Sequence, residues 1–99
     1  MNYFERTAEF DKWLDGLRDP AARMRIVRRI NAAASGNFGD CQPVGESVSE
    51  MRIHYGPGYR VYFTRIGNTV YLLLAGGNKS SQKRDIARVL EIVRQLKGE

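Results

Sequence analysis

Cysteine and histidine occur once each in the 99 residues, as Cys41 and His54. A lone thiol excludes an internal disulfide, a cysteine metal cluster and a two-cysteine redox motif. Long apolar runs are missing as well: the longest, Val70-Tyr71-Leu72-Leu73-Leu74-Ala75, falls far short of the roughly 18 residues that a membrane span requires. The opening residues, Met1-Asn2-Tyr3-Phe4-Glu5-Arg6, show neither a basic start before an apolar core nor a small-residue cleavage site. These absences predict a cytoplasmic chain with no membrane role. There is no internal repeat, low-complexity run or linker, and a chain of this length supports one core, so residues 1–99 read as a single domain.

Positive charge is in excess, with 16 Lys and Arg against 11 Asp and Glu. The excess is unevenly spread. Residues 1–22 hold three basic and five acidic groups, residues 23–35 four Arg and no acid, residues 36–78 three of each, and residues 79–99 six basic against three acidic. Two cationic stretches follow, one in the second quarter and one at the carboxy-terminal end, and long-range attraction draws a polyanion or an acidic protein to such surfaces. A solvated basic surface fits the same count.

Apolar spacing divides the chain into helical and extended parts. Tyr3 to Arg6 reads as a short strand; Thr7 then caps a helix carrying Phe10, Trp13, Leu14 and Leu17 on one side. Asp19-Pro20 starts a second helix, because Asp accepts from free amides and Pro at the first helical position sacrifices no hydrogen bond. That helix runs to about Ser35, with Ile26, Val27, Ile30 and Ala33 inward and Arg25, Arg28 and Arg29 elsewhere, and Gly36 can close it. The two form a hairpin. Beyond Gly36 the period becomes alternating, predicting strands at Cys41–Val44, Val48–Tyr55, Tyr59–Arg65 and Thr69–Ala75, the last in the middle of the sheet. Ser80 or Ser81 caps a final helix with Ile86, Val89, Leu90, Val93 and Leu96 along one side.

Alternation assigns faces. Glu50, Arg52 and His54 point one way and Met51, Ile53 and Tyr55 the other, while Arg60, Tyr62 and Thr64 separate similarly from Val61 and Phe63. If the two strands pair across Gly56-Pro57-Gly58, one surface gathers Arg52, His54, Arg60 and Tyr62. RNA can be cut without a metal when its own 2′-hydroxyl attacks the adjacent phosphate, which requires a proton acceptor, positive charge at the phosphorane and a proton donor. His54 can accept or donate, Arg52 and Arg60 carry planar donors suited to phosphate, and Tyr62 can stack on a base or orient a proton. The outward face of an antiparallel sheet is polar in any case, so a solvated surface is the competing reading. Gly76-Gly77-Asn78-Lys79-Ser80-Ser81 does not match a nucleotide-binding loop; Lys79, with Lys83 and Arg84 beyond it, remains a candidate phosphate contact, as do Arg28 and Arg29 on the second helix.

Several of these segments resemble one family. Gly36-Asn37-Phe38-Gly39-Asp40, Pro43-Val44-Gly45, the run Ser49 to Phe63 and the run Gly76 to Ile86, together with Phe10, Trp13 and Leu14, look like the addiction-module killer branch of the RelE/ParE toxins, across nearly the whole chain. The resemblance implies an α+β fold in which a two-helix hairpin and a carboxy-terminal helix pack on a twisted antiparallel sheet. It also implies a helix-turn-helix antitoxin as partner, and no cofactor or metal. The ribosome and its messenger RNA would be the target of a translation-inhibiting endonuclease, with Arg52 and Arg60 matching strand arginines of such enzymes. The sequence departs from that pattern in one respect: a Tyr, His or Arg usual at the end of the last strand is replaced by Gly76-Gly77-Asn78-Lys79 leading into a helix. DNA gyrase, the target of a branch lacking RNA-cleaving residues, and an inactive binding module therefore stay open as alternatives.

Overall fold

Thr7 both ends the first strand and starts the first helix. Its hydroxyl accepts from the Phe10 amide at 3.0 Å, capping the helix, and donates to the Leu74 carbonyl at 2.7 Å, which ties the helix start to the sheet. In the computed structural model, which describes residues 1–98, the elements are β1 (Tyr3–Arg6), α1 (Ala8–Asp15), α2 (Pro20–Ala34), β2 (Cys41–Gly45), β3 (Val48–Ile53), β4 (Tyr59–Arg65), β5 (Val70–Asn78) and α3 (Gln82–Leu96). A single 3-10 turn, Lys79–Ser81, joins β5 to α3. Asp19 caps α2 as its sequence predicts, accepting from the Ala21 amide at 3.0 Å. Ser81 precedes α3 without a side-chain cap; Asn78 caps the 3-10 turn instead, accepting from the amides of Ser80 and Ser81. Those amides are consequently occupied within the chain.

The protein is α+β, with a five-stranded mixed sheet in the order β1-β5-β4-β3-β2. The antiparallel expectation needs correcting at one edge. Tyr3 to Arg6 pair in parallel with Val70 to Leu73, while the other neighbours are antiparallel. A parallel pair needs a long crossover, which α1, α2 and three intervening strands supply. Strand β5 is interior, as its Val/Leu-rich run predicts, and extends through the glycine pair to Asn78.

Helices cover both faces. Phe10, Leu14, Ile26, Ile30 and Ala33 pack on Met51, Ile53, Val61, Phe63 and Leu73; on the opposite face Val89 and Val93 of α3 pack on Val48, Tyr62, Leu74 and Ala75. Gly76 and Gly77 admit these layers at close range. A Cβ at Gly76 would collide with the Trp13 ring of α1, and one at Gly77 with the Asp85 carboxylate at the start of α3. Phe38 packs with Phe4, Phe63 and Tyr71, at centroid distances of 6.2, 5.8 and 5.3 Å, and so fixes the loop that carries Asp40.

Candidate functional site

Strand pairing brings Arg52 and Arg60 together as direct partners on the face that α3 covers, with Glu50 opposite Tyr62 one step along. Glu50 has no exposed surface. Arg52 Nε donates to its Oε1 at 2.9 Å; the Tyr62 hydroxyl and the Gln82 amide of α3 donate to Oε2 at 3.1 and 2.8 Å. Burial alone would raise the Glu50 pKa, but the donors from Arg52, Gln82 and Tyr62 outweigh it and hold the carboxyl below its ordinary value. Arg60 Nε stands 4.0 Å from the same carboxylate, and its Nη1 donates to the Gly58 carbonyl at 2.7 Å. Two guanidiniums thus face one buried carboxylate.

The open surface expected around these residues is only partly there. Tyr62 is 0% exposed, so its ring does not face solvent, and burial, then the charge of Glu50, pushes its pKa up. The reason is α3, whose Val89 and Val93 close over this face. The Arg60 side chain is 12% exposed and that of Arg52 36%, which leaves Arg52 as the guanidinium that reaches solvent. Lys79 adjoins this end of the sheet, its amide donating to the Pro57 carbonyl at 3.4 Å. Lys83 and Arg84 lie exposed in the first turn of α3.

His54 belongs to a different group. Strand β3 ends at Ile53, so the alternation that would place His54 beside Arg60 stops one residue short. The imidazole, 74% exposed, meets Asp40 through Nε2 at 2.7 Å and lines a pocket of about 330 Å³ with Ile53 and with Arg25, Arg28 and Arg29 of α2. Asp40 is held below the ordinary carboxylate pKa, first by the hydrogen bond with His54 and also by the charges of His54, Arg52 and Arg29. Arg29 donates to the carbonyls of Arg52, Phe38 and Asp40, and so braces α2 against β3 and the Asp40 loop. Arg25 lies 4.5 Å over the Tyr55 ring, whose hydroxyl donates to Asp19 at 2.8 Å. Arg28 is exposed and makes no hydrogen bond or ion pair among the described residues.

No protein-family model matches the chain. Over 90 residues it is 39% identical to an uncharacterized protein of Haemophilus influenzae, an alignment taking in 91% of each chain. The chain belongs to the family of that protein. In this family member, sequence reasoning placed Glu50 on the polar face but gave it no role, because a carboxylate among arginines looks like any surface pair until the covering helix is known. Asp40 was missed as the partner of His54 because the two are 14 residues apart and meet only through the loop that Phe38 anchors. Arg25, placed off the apolar stripe together with Arg28 and Arg29, is missing from the candidate phosphate contacts, though its spacing with them is a legible signal that the three share one side of α2. Cys41 is half-buried, its thiol pKa raised by burial, which matches a structural role.

Proposed function

We propose that the chain is the toxin of a RelE/ParE-type toxin–antitoxin pair, acting in the cytoplasm, and that it halts translation by cutting ribosome-bound messenger RNA without a metal ion. The observation that carries this reading is the exposed His54–Asp40 pair at 2.7 Å, two residues along the chain from the half-exposed Arg52. The order of one strand, two helices, four strands and a final helix also suits the RelE-like resemblance.

In this reading Asp40 engages Nε2 of His54, which leaves Nδ1 to take the proton of the 2′-hydroxyl, and Asp40 also offsets the imidazolium that forms; the 2′-oxygen bonds to phosphorus as the bond to the 5′-oxygen breaks, and the departing 5′-oxygen takes a proton from the solvent that reaches this exposed face. Arg52 neutralises the phosphorane with its terminal nitrogens while Glu50 holds its Nε in place. Arg60 and Tyr62 serve indirectly, by fixing Glu50. A positioned base of this kind contributes roughly 10²- to 10⁴-fold to the rate.

Expression in a bacterium tests the reading. Translation should stop and transcripts should carry new ends, and His54→Ala should restore intact message while the chain stays folded. A second reading is favoured by one observation: the burial of Tyr62 and most of Arg60 around Glu50 turns two of four expected catalytic groups into scaffold. It makes the chain a non-enzymatic inhibitor, of gyrase in the clearest case. Growth arrest with uncut message and trapped gyrase–DNA cleavage complexes would select it.

A further inference from the structure

We infer that the pocket between α2 and the end of β3 is a phosphate-binding site, sized for a nucleotide unit. Arg25, Arg28 and Arg29 recur at spacings of three and four residues, which turns all three toward one hollow. Like charges so placed destabilise a helix by about 0.2–0.5 kcal/mol per pair unless something offsets them. Two of the three have an offset, Arg29 in its carbonyl bonds and Arg25 in the Tyr55 ring. Arg28 has none among the described residues, and no acidic side chain among them lines the pocket. The neighbouring carboxylates are engaged elsewhere, Asp40 with His54 and Asp19 with the Tyr55 hydroxyl.

The planar donors of guanidinium match phosphate oxygens in pairs, and His54 adds a ring nitrogen at the rim. Ile53, 4% exposed, gives the pocket an apolar base. At about 330 Å³ the hollow exceeds what a bare anion fills and accommodates part of a sugar or base beside the phosphate. The site adjoins the proposed reaction through His54 but does not depend on it. A free phosphate or nucleotide and a phosphodiester within a strand present the same chemistry to it.

The test is a titration of the full-length, isotope-labelled chain, followed by NMR, with inorganic phosphate and separately with single-stranded oligothymidylate, which lacks the 2′-hydroxyl and cannot be cut. Both should move the signals of Arg25, Arg28 and His54. Tighter binding of oligothymidylate assigns the site to a strand, and binding of phosphate alone to a free ligand; either supports it. Arg28→Glu, and separately the double variant Arg25→Gln/Arg28→Gln, should weaken binding by about tenfold for each guanidinium removed. The salt dependence of oligothymidylate binding should become shallower by about 0.7 in log–log slope per lost contact. Unchanged affinity in variants that keep the folded spectrum, or shifts confined to the Arg52 and Lys79 end of the sheet, would overturn the inference. A chain that holds oligothymidylate here yet leaves RNA intact keeps this site and loses the nuclease.

Discussion

Glu50 receives three side-chain hydrogen bonds in a place with no exposed surface, and Arg60 approaches as a fourth neighbour. Removing one side of such a buried arrangement strands the other, so Glu50→Ala should cost about 3 kcal/mol in denaturant unfolding. For a domain of this size that is a fall of roughly 15 °C in Tm. Tyr62→Phe, which takes away one donor of three, should cost about 1 kcal/mol. The acid limb of stability follows from the same group. Its folded pKa lies below the ordinary glutamate value of 4.5, so its contribution is complete above that value and is lost as pH falls through the lower folded value. Glu50→Gln should flatten that limb in a pH series of urea melts; an acid limb identical to that of the parent chain would refute the role. Sequence alternation found that Glu50, Arg52, Arg60 and Tyr62 share a face. What covers that face lies outside any strand pattern, and so the burial of Tyr62 was not legible. His54 escaped for a local reason, since the strand ends before it.

At the scale of elements, apolar stripes located all three helices, caps located the starts of α1 and α2, and alternation located β2 to β5 within a few residues. The strand β1 was found but not its parallel pairing, because four residues at an edge carry no signal of direction. The glycine pair shows what a motif alone leaves unexplained. Gly76-Gly77 fails the pattern of a nucleotide-binding loop, and the structure supplies the other reason for the pair: it lies inside β5, where it lets Trp13 approach from one side and Asp85 from the other. Gly76→Ala should therefore cost about 2 kcal/mol or more, since the Trp13 ring must move from a filled layer. Gly77→Ala should act on the opposite layer, displacing the start of α3 and lengthening the Gln82–Glu50 bond. Amide hydrogen exchange would then rise in the first turn of α3 while α1 stays protected, and uniform exchange changes in both helices would contradict this division.

For the molecule as a whole, charge and covered faces divide the surface into two cationic regions: the α2 pocket with Arg28, and the end of the sheet where Arg52 and Lys79 reach solvent. On the proposed toxin reading, an antitoxin that silences both would have to bring acidic groups to each. The partner which that reading proposes is a small helix-turn-helix protein encoded beside this chain, and its association should weaken with rising salt. Coexpression followed by co-purification at low and high salt checks this, with a salt-insensitive complex as the contrary result. The most direct measurement of the central claim uses purified chain, translating ribosomes and a defined message, with primer extension mapping the 5′ ends. The account predicts discrete cuts with the parent chain, and none with folded Arg52→Ala or His54→Ala. Uncut message in the presence of parent chain that still arrests growth in cells would contradict it.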